Sequence, residues 1–108
     1  MPNTFKNSFA KSVGTSAATV YTCPSATQTT LIGLSVANTT TSPITCDAYI
    51  TSSAVDYFLV KGATVPVGSS LVISGGDQKT VLEVADALKV VTSAASSADV
   101  VASYLEIT

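Results

Sequence analysis

The chain has 108 residues, of which 11% are charged, with five Lys, seven Asp or Glu, a net charge of -2, and no His, Trp or Arg. A typical soluble domain carries about 25% charged residues. Without His there is no imidazole base, imidazole metal ligand or Ser-His-Asp triad, and without Arg no bidentate fork for phosphate or guanine. Hydrophobic residues make up an ordinary 46%, so Ser and Thr have taken the place of the missing charges. Lys6, Lys11, Lys61, Lys79 and Lys89 are scattered and form no run able to neutralise phosphates, which argues against nucleic acid. No stretch of about 20 apolar residues could span a bilayer, and Met1 to Lys6 lacks the apolar run of a signal peptide. The expectation is one soluble domain made in a cytoplasm.

Residues 1–16 differ from the rest, with Phe5 and Phe9 standing among Asn3, Lys6, Asn7 and Lys11 without a sustained strand period. The spacing of the two rings fits one face of a short helical turn, while Gly14 and its Ser/Thr neighbours fit a loop or extended arm. Such an arm either covers an end of the domain's own core or docks on a neighbouring subunit. In the docking reading, Phe5, Lys6 and Phe9 make the contact.

From residue 17 the chain becomes a series of short Val, Ile, Leu and Thr segments bounded by Gly, Pro, Asn or Ser, the pattern of strands and turns. Strands are predicted near 18–23, 29–38, 43–51, 55–61, 70–74, 79–84, 87–92 and 98–107. In the second, Ile32, Leu34 and Val36 alternate with Gly33, Ser35 and Ala37, giving an apolar and a small-residue face. Ile44, Cys46, Ala48 and Ile50 form the corresponding apolar set in the third. Gly62 is expected to end the fourth, and Val65-Pro66-Val67-Gly68 to form a pinned connector. Ser74-Gly75-Gly76-Asp77 and Ala85-Asp86 mark further breaks. Residues 81–91 also carry a helical spacing, but flanking β-branched residues favour two strands about a turn. The sum is an all-β fold, a compact antiparallel β-sandwich of about eight short strands, immunoglobulin-like or jelly-roll-like, over 17–108 with residues 1–16 as an arm.

Candidate chemistry is sparse. Asp77, Glu83, Asp86 and Asp99 match no calcium-loop spacing and read as turn residues, so neither a metal nor another cofactor is expected. Tyr21, Tyr49, Tyr57 and Tyr104 would make a sugar platform if they shared a face, though half-buried rings with wet hydroxyls are the commoner arrangement. Cys23 and Cys46 are too few for a disulfide framework and are expected as free thiols. Small hydroxyl residues, by contrast, make flat sheet faces suited to packing against copies of the same sheet.

Phe5-Lys6-Asn7-Ser8-Phe9, Val20-Tyr21-Thr22, Gln28-Thr29-Thr30-Leu31-Ile32-Gly33-Leu34, Leu59-Val60-Lys61-Gly62, Val65-Pro66-Val67-Gly68, Gly75-Gly76-Asp77-Gln78-Lys79 and Tyr104-Leu105-Glu106-Ile107 follow in an order that resembles small virion structural proteins of tailed bacteriophages. The resemblance covers nearly the whole chain. It implies a non-enzymatic β-sandwich, present in many copies on a particle assembled in the host cytoplasm, whose partners are itself and other virion proteins. Capsid decoration, neck or collar, and tail all fit. The alternative is a receptor- or glycan-binding module using loops at Thr39, Thr40, Thr41 and Ser42, at Ser52 and Ser53, and at 94–97.

Overall fold

Alternating Val, Ile, Leu and Thr form strands here because branched side chains pack well on a pleated, half-buried surface. The computed structural model describes residues 3–74 and 80–108, which contain nine strands and no helix. These are β1 (Asn3–Val13), β2 (Ala18–Thr22), β3 (Gln28–Asn38), β4 (Ile44–Ser52), β5 (Val55–Val65), β6 (Ser70–Ser74), β7 (Thr80–Leu82), β8 (Ala87–Thr92) and β9 (Ala98–Ile107). One sheet, A, has the order β1-β9-β3-β6, with β7 pairing the first half of β3 while β6 pairs the second. The other, B, has the order β2-β8-β4-β5. All pairs are antiparallel, and the two sheets form the expected β-sandwich.

The core lies between the sheets. Leu31, Leu34 and Val36 of β3 and Val100 and Ala102 of β9 meet Leu88 and Val90 of β8 and Cys46 and Ala48 of β4. Each fully buried Leu or Val contributes roughly 1.5–3 kcal/mol. Both cysteines are buried and free.

Three local expectations need correction. The segment 1–16 is not an arm set apart from the sandwich: residues 3–13 are β1, paired with β9 from Asn3↔Ile107 to Val13↔Ala98. Its strand period escapes notice because the strand's inward positions hold Lys6, Ser8 and Ala10 rather than large apolar residues. In β3 a bulge between Leu31 and Gly33 reverses the alternation, so Leu31 is buried and Ile32 turns outward. Gly62 does not end β5, which continues to Val65; its φ of +68° forms a bulge instead.

Two bulges are built alike. In β1, Ser12 adopts φ 53° and donates its N–H to Asp99 Oδ1 at 3.0 Å, while Lys11 pairs with Asp99 Oδ2 at 3.1 Å. In β5, Gly62 donates to Asp47 Oδ1 at 2.7 Å, while Lys61 stands 4.0 Å from Asp47 Oδ2. Each Asp sits on the neighbouring inner strand and takes a donor that the ladder has lost. Both bulges interrupt sheet edges, one of the ways natural sheets discourage edge-to-edge pairing.

Candidate interaction face

The outer face of sheet A is built from the residues that β1, β9, β3, β6 and β7 turn away from the core. Cross-strand register places these residues in rows. Phe5 lies opposite Leu105, Leu105 opposite Thr30, and Thr30 opposite Val81, so one row crosses four strands. Phe9, Val101, Ser35 and Val72 make a second row. Between them runs a row of small or polar residues, Asn7, Ser103 and Gly33. The result is two apolar ridges separated by a trough. Phe5, Lys6, Asn7, Ser103, Tyr104 and the outward-turned Ile32 line a cavity of about 250 Å³ in that trough.

These ridges are unusually bare. Phe5 is 76% exposed, Phe9 67%, Val72 67% and Val81 62%. Isolated exposed apolar residues are ordinary, but residues aligned across a sheet form a contiguous patch, which marks an interaction surface. Among the described residues, the charges at the margin of this face are Lys11 and Asp99, already paired with each other. Sheet B differs: its outer face carries Asp47 and Lys89, with Lys61 lying 4.4 Å over the Phe58 ring beside Tyr49. Sheet B also exposes Val55, Tyr57 and Phe58 on its edge strand β5, but its outer face carries charges that, among the described residues, the centre of sheet A's outer face does not.

Of the three arm residues singled out from sequence, Phe5 and Phe9 stand on the outer face, but Lys6 does not join them. It turns inward, and its ammonium lies 2.9 Å from Glu106 Oε1. Glu106 is 5% exposed, and its other oxygen accepts from the Tyr21 hydroxyl at 2.6 Å. Tyr21 in turn shares a 2.7 Å bond with the Thr29 hydroxyl, and its ring packs 4.1 Å from that of Tyr104. Tyr104 shares a 2.8 Å bond with Ser8. The Tyr21 bond, then Lys6, hold the Glu106 carboxyl below the usual range. Burial, then the bond to Glu106, push the Tyr21 phenol well up. This polar ladder joins the two sheets; its groups are satisfied by one another, which suits structure rather than catalysis.

Two of the three loop candidates are brought together, and the third is not. Thr39, Thr40, Thr41 and Ser42 precede β4, whereas Ser52 and Ser53 follow it, about 30 Å away along a nine-residue strand. The 39–42 loop is held from within, because Asn38 donates to Ser42 O and Val65 O and accepts from the Thr40 N–H. Residues 94–97 lie at that same end, where Ser97 O accepts from the Thr39 N–H. The four tyrosines are dispersed as well: Tyr21 and Tyr104 are buried, Tyr49 is half-buried on sheet B, and Tyr57 is exposed on β5. Glu83 and Asp86 form a turn, with Asp86 Oδ2 accepting from the Glu83 N–H, and Asp99 serves the β1 bulge. Residues 75–79, which include the Gly75-Gly76-Asp77 break and Lys79, lie outside the described residues. Among those that are described, no three potential ligands cluster to hold a metal.

Sequence reasoning missed Val72, Val81, Val101 and Leu105 as partners of the two Phe rings. Alternation within 98–107 showed that Val101, Ser103 and Leu105 share a face, but which other strands join that face depends on sheet order. Compared with known proteins, the chain matches no family, no curated protein and no solved structure.

Proposed function

We propose that the chain is a non-enzymatic structural protein of a phage virion, a β-sandwich that assembles with copies of itself and seats on a larger particle scaffold. The resemblance of its ordered motifs to small virion proteins of tailed phages supplies the setting. The observation that carries the assembly role is the two-ridged apolar face of sheet A, which a solitary protein would leave in water. A low charge content and aligned exposed Phe and Val rows favour a life against neighbours. The described side chains offer a satisfied polar ladder and turn carboxylates in place of an acid–base pair facing a cleft. The separation of Ser52 and Ser53 from the loops at 39–42 and 94–97 gives less support to a glycan-binding module that would use all three.

The test is to purify particles of the encoding phage and quantify the chain in them by mass spectrometry and immunogold labelling. Many copies at a fixed ratio to the major capsid protein are expected. A chain abundant in the infected lysate yet absent from washed particles would overturn the reading.

A further inference from the structure

We infer that the outer face of sheet A is a homodimer interface, packed face to face with the same face of a second copy; this rests on the assembly role proposed above and names its first partner. Three observations select that occupant. The first is size. In an offset pairing of the two faces, four strands at about 4.8 Å spacing overlap over about seven residues at roughly 3.3 Å each and project to roughly 450 Å². Accessible area exceeds projection, so each copy buries an area at the small end of specific interfaces, below the roughly 800 Å² per partner of the standard kind. The molecule's longer dimensions, 45 and 27 Å, accommodate it.

The second is self-complementarity. A two-fold contact presses one patch against itself, so the patch must hold both a projection and its own recess. Here the Phe5–Leu105 ridge lies two residues along the strands from the Asn7–Ser103 trough. A two-fold axis between the facing sheets, parallel to the rows and midway between these two, exchanges them. Each copy then sets its Leu105 ridge into the partner's Ser103 trough. The same operation lays the Phe9–Val101 ridge over the row of Asn3 and Ile107. Sheets packed in this aligned way differ by about 30° in strand direction, so the rows remain roughly superposed.

The third is charge. An axis on the other side of the trough would put the Phe5 ridge on the Lys11–Asp99 pair and strip it of water. The chosen axis leaves that pair at the margin, and the charge that borders the trough, Lys6, is already paired with Glu106. A patch whose charges are paired meets a smaller like-charge penalty against its own copy than one with free charges. Edge-to-edge addition is the competing route to a dimer, and the Asp-stapled bulges obstruct it at the β1 and β5 edges.

The test uses the full chain. Sedimentation equilibrium from low micromolar to about 1 mM should show a monomer–dimer equilibrium, the range in which small interfaces associate. Ser103→Lys, at an exposed position, should weaken dimerisation about 30-fold or more while leaving the circular dichroism unchanged, with a Tm equal to the wild type's at dilutions where both are monomers. Lys89→Glu on sheet B should leave the dimer intact. With a short bis-maleimide, whose arm spans the roughly 10 Å between packed sheets, Ser103→Cys mixed with Leu105→Cys should give a cross-linked heterodimer faster than either variant alone. The buried native thiols do not compete. A wild-type monomer throughout the range overturns the inference. So does a dimer that survives Ser103→Lys, or one that links residue 103 to 101 in preference to 105. A monomer that nonetheless occurs on particles would remove the homodimer and leave the virion role standing; a face-to-face dimer absent from particles would do the reverse.

Discussion

The hydroxyl of Tyr21 donates to Glu106 Oε2 across 2.6 Å, tying β2 of one sheet to β9 of the other inside an otherwise apolar sandwich. Among the described residues Glu106 is the buried carboxylate, and it is stable there because Lys6 takes its other oxygen at 2.9 Å. Removing either partner leaves one carboxylate oxygen without its donor. Tyr21→Phe is therefore expected to cost about 1–3 kcal/mol, the range for stranding a buried hydrogen-bonding group. Glu106→Gln should cost less than Glu106→Leu, because an amide can still accept from Tyr21. Urea denaturation of the three variants checks the order.

Stability should form a plateau in pH with losses on both sides. Glu106 and Asp99 are held below their ordinary values, by Tyr21 with Lys6 and by the Ser12 N–H with Lys11 respectively. The stability they contribute is present above their unfolded values, near 4, and is lost as pH falls through the lower folded values. Tyr21 and Lys6 are shifted upward, chiefly by burial for the first and by the Glu106 hydrogen bond for the second. Their contribution is full below about pH 10 and disappears as pH rises through the folded values. In Glu106→Gln the acid limb should shrink, with the remaining slope carried by Asp99, as thermal melts across pH would show.

The β4–β5 hairpin turns on Ser53 and Ala54, with φ of 52° and 64° between the paired Ser52 and Val55. Both central residues of such a two-residue turn are left-handed, a conformation that disfavours side chains and suits Asn-Gly. Ser53→Asn with Ala54→Gly is expected to stabilise the protein by about 1 kcal/mol, raising Tm by roughly 5 °C. An unchanged or lower Tm by calorimetry would contradict the turn geometry.

Gly14 is required for closeness rather than for its dihedrals. A Cβ there would stand 2.9 Å from the Ser96 nitrogen and 3.2 Å from the Ala95 Cα, both backbone atoms that cannot swing aside. Its carbonyl also accepts from the Thr92 N–H at 2.9 Å, joining the β1–β2 connection to the end of β8. Gly14→Ala should therefore destabilise by about 1–3 kcal/mol, the cost of forcing packed backbones apart. Denaturant midpoints of the two proteins measure it.

Deleting residues 1–13 and replacing the two Phe rings should have different effects. Deletion removes β1, exposes the β9 edge and takes Lys6 from Glu106, so an aggregating or molten product is expected. Phe5→Ser with Phe9→Ser alters exposed positions only and should leave the Tm of the dilute monomer nearly unchanged. Size-exclusion chromatography and thermal melts distinguish the two; equal behaviour would mean that β1 is dispensable to the fold.

Much of the strand pattern could be read locally. The alternation of Ile44, Cys46, Ala48 and Ile50 places them on one face whatever surrounds them, and eight of the nine strands lie close to their expected positions. β1 was hidden because its inward side chains meet a polar ladder rather than the core, so hydrophobic period carried no signal. Ile32 was misassigned because a bulge shifts phase by one residue, and a bulge is fixed by the neighbouring strand's register.

Composition and short-range periodicity alone determined that this protein is all-β, poor in charge and ill-equipped for histidine- or arginine-dependent chemistry. Those properties belong to single residues and their near neighbours. Tertiary structure decided that Phe5 and Val81, 76 positions apart, end the same row, and that Lys6 serves Glu106 instead of the ring pair beside it. Strand order in a sheet is a matter of which distant segments pair, and no local pattern encodes it. The shortage of charge visible in the composition thus acquires a location, on the outer face of sheet A.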